Sequence, residues 1–166
     1  MFSLKSLSHE SVAGALSKAE RYRLLNEPAE AESICLDVLD IEPGNQQALI
    51  GLVLALSDQI PHDTQAFHNA ITAANRLTGR YESAYYSGIV WERRAKARFH
   101  TGGRGVHHTV YDWMMEALKL FGKAEELRPH GNDDALLRWN TCVRFLQRHP
   151  VLAPQGEEER EVIVSE

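Results

Sequence analysis

The chain has 166 residues, 43% apolar and 25% charged, with a formal net charge of −5. That composition suffices for one domain or one short repeat array without metal or disulfide staples. It excludes global disorder, a collagen-like chain and a highly basic DNA-packaging protein.

No apolar run reaches the ~18 residues of a membrane span, so no membrane association is expected. Met1–Glu10 lacks the continuous apolar stretch of a signal peptide, which points to the cytoplasm.

Apolar spacing is helical throughout, and no segment alternates with period two, so no strand is expected. A first helix is predicted over 10–25, on Val12, Ala15, Leu16, Ala19 and Tyr22. Asn26-Glu27-Pro28 breaks it, with Asn26 as the expected cap of a second helix and Pro28 in its first turn. That helix runs to about Ile41, and Glu42-Pro43-Gly44-Asn45 ends it. The third, about 46–59, carries Ala48, Leu49, Leu52, Val53 and Leu56. Asp63 is a plausible cap for a fourth helix, which Gly79 should end.

The fifth helix, about 81–99, has a stripe of Tyr81, Ala84, Tyr85, Gly88, Trp91, Ala95 and Phe99. Thr101-Gly102-Gly103-Arg104-Gly105 cannot continue it. Thr109-x-x-Asp112 has the spacing of a capping box for a sixth helix to Leu127. Pro129-His130-Gly131-Asn132 separates that from a seventh, about 133–147, which His149-Pro150 ends. The seven helices give an all-α fold, with an N-terminal arm over 1–10, a helical domain over 11–147 and an acidic flexible tail over 148–166.

Cys35 and Cys142 each fall inside a helical pattern and form no Cys-x-x-Cys pair, so both read as small buried hydrophobes. Charge is uneven: residues 1–75 carry −6, residues 76–108 carry +5 and residues 109–166 carry −4. The central basic stretch could attract an acidic peptide, a phosphate or a nucleic acid, or be a solvated helix face.

Two segments repeat. Ala31-x3-Cys35-x2-Val38-x4-Pro43 parallels Ala117-x3-Phe121-x2-Ala124-x4-Pro129, and each proline leads into Asn-x-x-Ala-Leu. The pattern resembles the tetratricopeptide repeat (TPR), a 34-residue helical hairpin with Ala-x3-Phe…Pro in its second helix. The prolines are 86 residues apart, 18 more than two repeats need. Repeats are therefore expected at about 12–45, 46–79 and 81–131, with 133–147 as a capping helix and most of the insertion between Arg94 and Val110. Thr78 stands where the second repeat usually has proline.

The resemblance implies a right-handed superhelical array of antiparallel helix pairs whose first helices line a concave surface. In the family that surface usually binds peptides or partner proteins, and the fold alone does not name them. It implies a groove lined by Leu16, Glu20 and Arg23, then by Gln47, Ile50, Leu54 and Ser57, then by Tyr85, Ile89, Glu92 and Arg93. Some TPR adaptors clamp a partner's C-terminal carboxylate with lysine, arginine and asparagine. Here those places hold Leu16, Glu20, Gly51, Glu82 and Tyr86, so that clamp is absent.

The expectation is a non-catalytic adaptor, bacterial in style, that takes a protein or peptide in its groove. The alternative is a nucleic-acid or polyanion accessory protein using the basic segment 93–104, through Arg94, Arg98 and Arg104. The sequence pI of about 5.9 weighs against it. A third reading is a homodimer formed through exposed groove residues. His107, His108 and Asp112 make the best metal-like cluster, but the sequence fixes no third ligand. Gly102-Gly103-Arg104-Gly105 lacks the phosphate-loop pattern. No catalytic constellation, metal site or cofactor motif is expected.

Overall fold

A computed structural model describes residues 2–154. Its helices are α1 (Val12–Leu24), α2 (Pro28–Ile41), α3 (Gln46–Gln59), α4 (Thr64–Ala74), α5 (Arg80–Thr101), α6 (Val106–Leu127) and α7 (Asp134–Arg148). Short 3-10 turns, His9–Ser11 and Pro150–Leu152, flank them, and there is no strand among the described residues.

Local chemistry sets most boundaries. Asn45 Oδ1 accepts from the Ala48 N–H at 2.9 Å, and Asp63 Oδ1 accepts from the Gln65 N–H at 2.8 Å. Each side chain thereby satisfies an N–H that the new helix cannot. Pro28 occupies the first turn of α2, where its missing N–H costs nothing.

Four boundaries differ from the sequence expectation. Asn26 does not cap α2; it adopts φ 61° and closes α1 instead. Glu27 N–H reaches the Tyr22 carbonyl at 2.9 Å and Asn26 N–H reaches that of Arg23 at 3.0 Å, a Schellman closure. The fourth helix stops at Ala74 rather than Gly79, and Gly79 precedes α5. Leu77 is buried from the connecting segment, which Gln46 Oε1 holds by accepting from Thr78 N–H at 2.8 Å.

The sixth helix begins at Val106, so Thr109 is internal and no capping box forms. The cause is the loop: Gly102, Gly103 and Gly105 all take positive φ, and reverse the chain in four residues. Finally, Leu152 is 1% exposed against the core, so the fold extends past 147, the expected end of the helical domain. Residues 155–166 lie outside the described residues.

Each helix packs on its sequence neighbours, and α1–α3, α3–α5 and α5–α7 also touch in turn. The core divides along α5. Val90 joins a cluster from α1 to α4 rich in alanine, leucine and valine. Ile89 joins a second cluster with Val110, Met114, Phe121, Cys142 and Leu152. Burying such a large side chain contributes roughly 1.5–3 kcal/mol. Gly88 lets α5 and α6 meet closely, since a Cβ there would stand 2.7 Å from the Phe121 ring.

Candidate binding groove

On α1, Leu16, Ala19, Glu20 and Arg23 recur every three or four residues and so share one face. On α3, Gln47, Ile50, Gly51 and Leu54 do the same. With Tyr86 of α5 they enclose a depression of about 260 Å3. Its walls are apolar and its rim carries Glu20, Arg23 and Gln47.

Cys35 of α2 lies buried under the floor, where Gly51 has no side chain to come between. A Cβ at Gly51 would stand 2.9 Å from Cys35 Sγ. Burial pushes the Cys35 thiol up to about 11, which makes the floor an apolar surface rather than a nucleophile. Burial likewise raises the Tyr86 phenol above its usual range.

A bridge of charge closes one end. Asp58 Oδ2 accepts from Arg23 Nε at 2.8 Å, and Asp58 Oδ1 pairs with Arg93 Nη1 at 2.5 Å. Arg93 also donates to the Leu54 carbonyl at 3.1 Å and to Ser57 Oγ. These contacts tie α1, α3 and α5 together. Burial lowers the Arg93 guanidinium pKa, against the opposing pull of Asp58. Beyond the bridge lies a second depression of about 400 Å3, lined by Ser57, Asp58, Pro61, Arg93, Lys96, Ala97, His100 and Thr101.

Six of the eleven expected groove residues therefore meet in one depression: Leu16, Glu20, Arg23, Gln47, Ile50 and Leu54. Ser57 and Arg93 belong to the neighbouring one. The other three correct the expectation. Ile89 is 2% exposed inside the second core cluster. Glu92 is buried at 1% and pairs with Lys96 at 2.5 Å and Arg138 at 3.3 Å. Tyr85 stacks on Tyr81 and tilts against Phe121 of α6. The face of α5 toward α3 is one residue further along the chain, so Tyr86 takes the place expected of Tyr85. Burial would lower the Arg138 pKa, but Glu92 and the Tyr85 phenol outweigh it and hold it above its usual value.

The basic segment is also redistributed. The Arg94 guanidinium lies 3.7 Å from the Phe67 ring centroid and 4.0 Å from that of Trp113. Arg98 donates to the Gly102 carbonyl at 2.7 Å and holds the end of α5. Both are thus occupied within the fold, and of the three expected polyanion contacts Arg104 alone is exposed.

The sequence did not single out Asp58, Lys96 or His100 as site residues, because nothing in a helical stripe marks which polar residues converge. His107, His108 and Asp112 are exposed on α6, and no metal-capable group of three or more forms among the described residues. Cys142 is buried, and burial first and Glu92 second push its thiol up to about 12. No helix among the described residues is long and apolar enough to cross a membrane. No protein-family model, curated protein or solved structure matches the chain.

Proposed function

We propose that this chain is a non-catalytic interaction module, built as a TPR-like right-handed superhelical array, that holds a peptide or a segment of a partner protein in the α1–α3–α5 groove. The observation that carries the reading is the convergence of Leu16, Glu20, Arg23, Gln47, Ile50 and Leu54 on one depression. Those positions follow from the spacing of the repeat. Four of the five places that would hold a carboxylate clamp in the family, Leu16, Glu20, Gly51 and Tyr86, line the same depression. The side-by-side contacts of α1, α3, α5 and α7 support an array of hairpins. Apolar walls with a polar rim suit an amphipathic segment, with side chains in the depression and orientation set at the rim.

The polyanion reading draws less support, because Arg94 and Arg98 already serve the fold. The two are separated by affinity capture from lysate with nuclease added. Leu54→Glu and Tyr86→Ala should each remove the captured protein while leaving the helical circular dichroism intact. Glu20→Arg, at an exposed rim site, should weaken capture without touching the core. Capture that survives all three changes, or that nuclease abolishes, would refute the groove reading.

A further inference from the structure

A depression of about 340 Å3 lies between the N-terminal half of α5 and α6, and it shares no residue with the groove. Arg80, Ser83 and Ser87 line it at spacings of three and four residues, so they share one face of α5. Ser83 stands about one helical turn from each of the other two. Asn75 joins the lining from the end of α4, and Leu120 and Lys123 join it from α6. The register of the two long helices brings them there. Ala84 and Ala124 share a buried cluster, and Gly88 meets the Phe121 ring. Lys123 is thereby level with the turn from Ser83 to Ser87.

Two features of this lining point to an oxyanion. The first is charge. Arg80 and Lys123 are exposed, and neither enters an ion pair among the described residues. No carboxylate lines the depression. Glu82 folds back toward Gly79 instead, with Oε2 1.8 Å from where a Cβ would stand. The head of α5 thus has its own carboxylate, and its free N–H groups are left out of the site.

The second feature is Ser87. It is 9% exposed, yet its hydroxyl makes no hydrogen bond among the described residues. The helical hydroxyls of Ser17, Thr72, Thr101, Thr109 and Thr141 each donate to the carbonyl four residues back. Ser87 does not, so its donor is left to the depression that it lines.

We infer that this depression binds a phosphate group, with Arg80 and Lys123 supplying the charge and Ser83 and Ser87 donating to the oxygens. A phosphate presents acceptor oxygens on several sides, so it can take donors from α5 and α6 at once.

The test titrates inorganic phosphate into the isotope-labelled full chain at fixed ionic strength, read by amide NMR. Signals of Ser83, Ser87 and Lys123 should move together and saturate. Ser87→Ala should raise the fitted Kd about tenfold, the weight of one hydrogen bond to a charged group. Lys123→Gln should raise it severalfold, and Arg144→Gln, an exposed cation on α7, should leave it unchanged. Amide signals away from the depression should stay in place in all three variants, which separates lost binding from a folding defect. The titration is then repeated with glycerol 3-phosphate. Tighter binding assigns the source to a phosphate ester, and equal or weaker binding assigns it to free phosphate. Shifts that do not saturate, or that spread over other lysines and arginines, overturn the inference. So does a Kd that Ser87→Ala or Lys123→Gln leaves unchanged, or that Arg144→Gln raises as much.

Discussion

Arg93 and Arg94 are neighbours in sequence and serve opposite sides of α5. Arg93 turns toward α3, pairs with Asp58 and walls the groove. Arg94 turns toward α4 and α6, where Phe67 and Trp113 sandwich its guanidinium. Two residues further on, Lys96 covers the buried carboxylate of Glu92. The basic stretch of the sequence is therefore three separate structures: a groove wall, an aromatic clasp and a buried ion cluster. A count of charges along a helix says little about the field at any one surface, because 100° of rotation per residue sends neighbours to different partners.

The sharpest way to test this division is Glu92→Ala. It leaves Lys96 and Arg138 facing an emptied site at the α5–α7 contact. Breaking a buried pair from one side should cost about 3–5 kcal/mol in urea unfolding. Asp58→Ala, whose side chain is a quarter exposed, should cost less than half as much while loosening the groove wall. An equal loss at both sites would erase the distinction between ion cluster and wall.

Gly88→Ala should come next, at about 1–3 kcal/mol, because the Phe121 ring is fully buried and cannot yield. Gly51→Ala meets only the Cys35 sulfur, so its larger effect should fall on binding, by filling the floor of the groove. A titration with any protein that the proposed groove captures, beside the urea curves, separates the two.

The smallest effects should come from the clasp and the loop. Arg94→Ala should lose about 1–2 kcal/mol, the scale of a partly desolvated cation–π contact. Arg104→Glu, on an exposed loop, should stay within about 0.5 kcal/mol. Thermal unfolding of both variants gives the comparison directly, and a costly Arg104→Glu would show that the loop bears on the fold after all.

The number and order of helices, the turns at Pro28, Asn45 and Asp63, and the burial of Cys35 and Cys142 were legible in the sequence. They depend on local spacing, on a proline's missing N–H or on a cap three residues away. Much of the depression between α1 and α3 was legible for the same reason: Leu16, Glu20, Arg23, Gln47, Ile50 and Leu54 share helical faces set by local spacing. The α5 side was not. Whether Tyr85 or Tyr86 faces α3 turns on the rotation of that helix, which Gly88 against Phe121 and Glu92 against Arg138 set together.

Chain order and local hydrogen bonding thus determined seven helices and the inner faces of α1 and α3. Tertiary packing alone decided the burial of Ile89, Glu92 and Leu152, and the work given to each arginine. These choices rest on contacts between residues distant in sequence, such as Glu92 with Arg138 and Arg94 with Phe67, and no periodicity within one helix encodes such a pairing.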